Sequence, residues 1–256
     1  MTENEGTLPA RVVVAINLLR RGAETLEMAA GLAAKRQARL LALFVEDMNL
    51  VNLAELPFAR EVERLSAAER KMESLRLQRA TRTCKERLQR LLEEINRELR
   101  VETDFKAVRG DFITSVLAET AQLDILFLGC RGDVEGPPRT PAKPSQRSPV
   151  WTIYDGSPES ERALRLGLEL ADADAENLCV TLPAESDARF EDLRAQALML
   201  CRKAIPPRFF RADPSDGTKL RRQIRRIGCR LLILKRSESD SPGALTERAE
   251  CPVVLI

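Results

Sequence analysis

The chain has 256 residues, enough for two small domains that each bury a core of their own. Its 41 Lys and Arg nearly balance 39 Asp and Glu, so no overall field draws it toward nucleic acid or an anionic membrane. Histidine is absent, which excludes Ser-His-Asp triads and removes the commonest metal ligand, so no catalytic or metal-binding residue is assigned. The N-terminal segment has a short apolar run with no basic stretch ahead of it, and no apolar stretch approaches the ~20 residues of a spanning helix. A cytoplasmic protein without membrane contact is expected. Arg11 to Ile16 is an apolar, β-branched run that ends at Asn17 and passes into a helical pattern through Leu26, Ala29, Ala30, Ala33 and Ala34. Leu40 to Val45 is the next strand and closes a βαβ unit, for which a parallel sheet with a right-handed crossover is expected. From Pro57 to Leu99 the apolar residues Leu65, Met72, Leu75, Leu88, Leu91, Leu92, Ile95 and Leu99 fall mostly on one helical face among Arg and Glu. This tract predicts an extended helical arm over about 57–99, or two short helices broken near Ser66 or Thr81. The segment 101–110 then reads as a strand, 111–123 as a helix with Asp111 at its N-cap, and 124–129 as a buried strand.

No closing strand follows in the first half. Residues 133–149 are rich in Pro and polar side chains, as a linker is. Shifting the sequence by 138 positions, the difference between 155 and 17, lays 150–157 over 12–19 without a gap. Leu26 then meets Leu164, Leu32 meets Leu170, Ala33 meets Ala171 and Leu40 meets Leu178. Strand, turn, helix and second strand agree at one offset, which argues for a duplication. The second half continues with a helix over 188–201, a strand over 208–214, a helix over 218–229 and two strands, 230–235 and 251–256. Lys219, Arg221, Arg222, Arg225 and Arg226 lie on that last helix, but Leu220, Ile224 and Ile227 give it an apolar face, so its charges read as solvated and not as a nucleic-acid contact. Cys84, Cys130, Cys179, Cys201, Cys229 and Cys251 contain no Cys-x-x-Cys pair and read as buried thiols, not as disulfides or zinc ligands.

Several segments in this order, LAELPFAREV, AVRGD, FLGCRG, PVWTIYDGSPESERAL and ECPVVLI, resemble the universal stress protein family, and the tandem arrangement is similar to its bacterial two-domain members. The resemblance implies an α/β fold of two tandem parallel-sheet domains flanked by helices, of the adenine nucleotide alpha hydrolase kind. Each would have strand order 3-2-1-4-5, with the first domain lacking its fifth strand. The domains are expected at 1–135 and 150–256, joined by a Pro-rich linker at 136–149 and packed as a pseudo-dimer. In nucleotide-binding members an Asp ends the first strand, a Val of the second lies near adenine, and Gly-x-x-Gly with a later Gly-Ser or Gly-Thr cradles ribose and phosphates. Glycines there let backbone N–H groups approach phosphate oxygens. The first half keeps Val45, Gly129 and Gly132, but has Asn17 where the Asp stands and Ala142-Lys143 where the later glycine stands. The second half keeps Asp155, Gly156 and Ser157, but its fourth strand ends in Leu234-Lys235-Arg236-Ser237 with no glycine. Both remnants are equally what ordinary turns use, Ser157 capping a helix that starts at Pro158.

Two readings remain open. One is a non-enzymatic stress-response protein with degenerate nucleotide sites and no cofactor, acting through protein partners or self-association, as a homodimer for example. The other is an adenine-nucleotide sensor binding ATP weakly through the first domain, with Asn17, Val45, Gly129 and Gly132 at the site and Asp155 and Ser157 as a degenerate second site. An ATP-using enzyme with a Ser-Gly-Gly phosphate turn is set aside, because the bulky Leu18-Leu19-Arg20 turn obstructs backbone approach to a pyrophosphate. The edge of the first domain's fourth strand is expected to be covered by the other domain or another protomer.

Overall fold

The computed structural model describes residues 11–20, 22–56, 60–62, 69–71, 74–120, 124–130, 148–171, 177–201, 206–212, 222–224, 226–236 and 251–256. The chain divides into two compact units, Met1–Glu135 and Gly136–Ile256. The first contains β1 (Val12–Ile16), α1 (Ala23–Arg36), β2 (Leu40–Asp47), α2 (Met48–Glu55), β3 (Arg60–Val62), β4 (Glu69–Lys71), α3 (Ser74–Leu99), β5 (Thr103–Gly110), α4 (Phe112–Glu119) and β6 (Ile125–Leu128). Its main sheet runs β5-β2-β1-β6 with every pair parallel. By order of appearance this is 3-2-1-4, the order expected of this half, among the described residues. Strands β1 and β6 are buried along their whole length. Helices α1 and α3 pack against each other, α1 on β1, β2 and β6 and α3 on β2 and β5, while α4 packs on β2 and β5.

The helical tract expected from Pro57 begins instead at Ser74, after the antiparallel hairpin β3–β4, in which Arg60 pairs with Lys71 and Val62 with Glu69. Pairing the two short segments satisfies their backbone groups locally. From Ser74 the helix is continuous through Thr81, one of the two positions at which a break was the alternative; the other, Ser66, lies outside the described residues. Its C-terminal half buries Leu88, Leu92 and Ile95, spaced four and three apart so that they share one face. Its start is open to solvent, with Leu75 65% exposed.

The second unit contains β7 (Val150–Ile153), α5 (Pro158–Leu170), β8 (Leu178–Pro183), α6 (Asp187–Leu200), β9 (Arg208–Ala212), β10 (Leu231–Leu234) and β11 (Val253–Leu255). Its strands run β11-β10-β7-β8-β9, all parallel, which is the order 3-2-1-4-5. Val150 lies in the central strand β7, paired with β10 on one side and β8 on the other, so the residues around it complete this sheet and are not free to serve as the first unit's fifth strand. Of the helix expected over 218–229, residues 222–224 and 226–227 are helical, while 218–221 and 225 lie outside the described residues, as does the linker up to residue 147. Trp151 is fully buried, stacks at 5.0 Å on Phe210, and donates its indole N–H to Gly228 O at 2.9 Å. Burying such a side chain contributes roughly 1.5–3 kcal/mol.

The two units agree in register as well as order. Val12 lies opposite Leu40 and Ile125 in the first, and Val150 lies opposite Leu178 and Leu231 in the second. Val12 and Val150, like Leu40 and Leu178, are separated by the same 138 positions that align the sequence. Among the described residues no helix is long and apolar enough to cross a membrane.

Candidate functional site

In each unit the central strands end at a turn, and there the candidate residues gather. Asn17 follows β1 directly and is 4% exposed. Its Oδ1 accepts from Leu19 N at 3.0 Å, and its main-chain carbonyl accepts from Arg20 N at 3.3 Å. Asp155 stands at the corresponding place after β7, where its Oδ1 accepts from Ser157 N at 3.0 Å and from Ser157 Oγ at 2.6 Å. Leu19 and Ser157 are equivalent at the 138-residue offset, so Asn17 and Asp155 make the same side-chain turn onto the residue two positions on. The amide retains the architectural task of the carboxylate while losing its charge.

Beyond this shared turn the units diverge. In the second, Gly156 adopts φ +88°, a left-handed conformation that glycine takes without strain, and α5 starts at once. Ser157 Oγ accepts from Ser160 N at 3.2 Å and caps it, with Pro158 in its first turn. In the first unit α1 begins only at Ala23, and its N-cap Gly22 makes no side-chain cap bond. A Cβ on Gly22 would lie 2.8 Å from Ile16 Cδ1, so glycine lets this longer turn fold down on the strand end. Arg20, which corresponds to Pro158, therefore lies in an open turn and not in a helix.

Arg20 points inward. It is 7% exposed, donates from Nη1 to Gly129 O at 2.8 Å at the end of β6, and places its guanidinium 4.4 Å from the centroid of the Phe112 ring. A buried carbonyl thus gains a charged donor, and the cation is held over an aromatic face. In the second unit the cation comes from the opposite side. Lys235, immediately after β10, donates from Nζ to Asp155 Oδ2 at 2.5 Å. Burial works against ionisation of Asp155, but the bonds from Lys235 and Ser157 outweigh it and hold the carboxyl well below the usual carboxylate range. Arg189 Nη2 also donates to Asp155 O, at 3.3 Å.

Of the other candidates, Val45 is buried in β2 opposite Val108 of β5. Its neighbour Glu46 accepts from Lys85 of α3 and, at 2.6 Å, from Arg109 at the end of β5. Burial disfavours the Glu46 carboxylate, yet these two cations bring its pKa below the ordinary value. Gly129 is placed by its bond from Arg20, whereas Gly132 lies outside the described residues. Sequence reasoning singled out Arg20 only as bulk in a turn and Lys235 only as a missing glycine; Phe112 it did not single out at all. Lys235 follows β10 directly and Arg20 lies in the turn four residues past the end of β1, positions from which a long side chain reaches back over the sheet end. Among the described residues no group of three or more Cys, Asp or Glu is arranged to hold a metal ion.

No protein-family model and no curated protein matches the chain. Among solved structures, a universal stress protein from Archaeoglobus fulgidus DSM 4304 covers 95% of both chains with TM-score 0.53 at 10% identity, a likeness of fold. A protein from the universal stress protein family of Burkholderia pseudomallei is 30% identical over 97% of its own length and 44% of this chain, with TM-score 0.34. The α/β fold described above is thus the fold of a universal stress protein structure along nearly the whole chain.

Proposed function

We propose that this is a non-enzymatic stress-response protein that works through contacts with other proteins or with itself, its two nucleotide sites having been closed by its own side chains. The observation that carries the reading is the buried guanidinium of Arg20 on Gly129 O, at the end of the fourth strand where nucleotide-binding relatives place ribose and phosphate. A ligand seated there would have to displace a charge-assisted bond and a cation–aromatic contact, and Gly129 O would be left to find another donor. The Lys235–Asp155 pair supports the same reading for the second unit, since the acidic side chain that would meet a nucleotide already has its cation.

Calorimetric titration of the purified chain with ATP and Mg²⁺ tests this, with thermal shift as a second readout. The expected result is no heat and no stabilisation at millimolar ATP. Binding tighter than about 100 μM, lost when Gly129 is replaced by a bulky residue, would favour the sensor instead, since a true ligand stabilises by mass action.

A further inference from the structure

The thiols of the second unit hold an arrangement that plays no part in this reading. Cys229 stands just before β10 and Cys251 just before β11, and their Sγ atoms are 3.0 Å apart, with Cys251 as donor. Both positions are fixed by their neighbours. Gly228 O accepts from the Trp151 indole, Arg230 N donates to Pro149 O at 2.9 Å, and Leu232 N donates to Pro252 O at 3.0 Å. The parallel register of Leu232 opposite Val253 then brings the two strand entries side by side. Cys251 is 5% exposed and Cys229 is partly open, so an oxidant reaches Cys229 first.

We propose that Cys229 and Cys251 are a reversible dithiol–disulfide site, oxidised by a peroxide, whose bond clasps the closing strand β11 to β10. The Cys229 sulfur, as thiolate, attacks one peroxide oxygen; the O–O bond breaks, and the departing hydroxide takes up the released proton to leave as water. The resulting sulfenic acid on Cys229 is attacked by the Cys251 sulfur, so that an S–S bond forms, the S–O bond breaks and a second water leaves. The two sulfurs lose two electrons together, and the peroxide gains them. A disulfide of about 2.05 Å requires closing roughly 1 Å, within the reach of side-chain rotation. The adjacent Cys251 sulfur and burial push the Cys229 thiol above its ordinary value, so the reaction is slow and calls for sustained, millimolar peroxide and not a trace of it. The bond closes the loop 229–251 and restricts the unfolded chain, which stabilises the unit.

The test uses the full chain, treated with millimolar hydrogen peroxide, then alkylated in denaturant and mapped by mass spectrometry without reduction. Expected are a mass loss of about 2 Da, a peptide linking Cys229 to Cys251 that dithiothreitol releases, and a melting temperature raised by several degrees. Cys229→Ser and Cys251→Ser should each abolish both the link and the rise. A link between other cysteines, sulfinic acid without a link, or six thiols still alkylated would overturn the proposal, and because the mapping is done on the unaltered chain, a variant that fails to fold does not shield it.

Discussion

The turn after β1 and the turn after β7 begin with the same side-chain bond and then part company. In the second unit the helix starts three positions earlier, counted at the 138-residue offset, with Ser157 and Pro158 as its cap and first turn. In the first unit those positions are Leu19 and Arg20, Gly22 makes no side-chain cap bond, and α1 begins only at Ala23. One unit therefore closes its strand ends with a cation from the turn onto the fourth strand, the other with a cation from the fourth strand onto the turn. The difference teaches that an acceptor at a strand end constrains its surroundings more than the identity of any one residue does. The uncharged Asn17 leaves a carbonyl as the group to be met, and Arg20 meets it; the charged Asp155 is met by Lys235.

This comparison can be broken at several points. The largest effect is expected from Arg20→Ala, which removes the charged donor to Gly129 O and the contact with Phe112; a loss of about 2–3 kcal/mol should appear in urea denaturation. Ser157→Ala should cost about 1 kcal/mol through loss of the α5 cap, whereas Leu19→Ala, at the equivalent position with no cap bond, should cost less. Asp155→Asn copies the first unit's residue into the second. It keeps the turn acceptor, loses the pairing with a partly exposed Lys235, and should cost under about 1 kcal/mol. The same variant carries a pH signature. The Asp155 carboxyl is held below its unfolded value of about 3.9, so its contribution is complete above that pH and disappears as pH falls toward the lower, folded value. Unfolding curves between pH 5 and pH 2 should therefore fall less steeply for Asp155→Asn than for the unaltered chain, and equal slopes would mean the Lys235 bond contributes nothing.

How much of this was legible beforehand depends on how far apart the interacting residues lie. The apolar runs at Arg11–Ile16 and Leu40–Val45 declare strands because alternatives would expose them, and the caps Asp111 and Ser157 declare helix starts because each acts on a neighbour three residues on. The register of both sheets is consistent with the offset visible in the sequence. The hairpin β3–β4 was hidden because its residues have good helical propensity and Leu65 and Met72 continue the spacing of the helix that follows. Arg20 was hidden for another reason. An arginine after a strand ordinarily faces water, and its acceptor is 109 positions away. The Cys229–Cys251 approach, 22 positions apart, follows from a parallel return that no spacing motif encodes.

The most direct test of the central claim, that the first unit's strand end is closed by its own guanidinium, is nitrogen-15 NMR of the Arg20 side chain with and without ATP and Mg²⁺. Bonded to Gly129 and lying against Phe112, the group should show slow rotation and separate, exchange-protected amino protons that stay unchanged at millimolar ATP. A freely averaging Arg20 signal, or one that shifts as ATP is added, would contradict the account and favour nucleotide binding by the first unit.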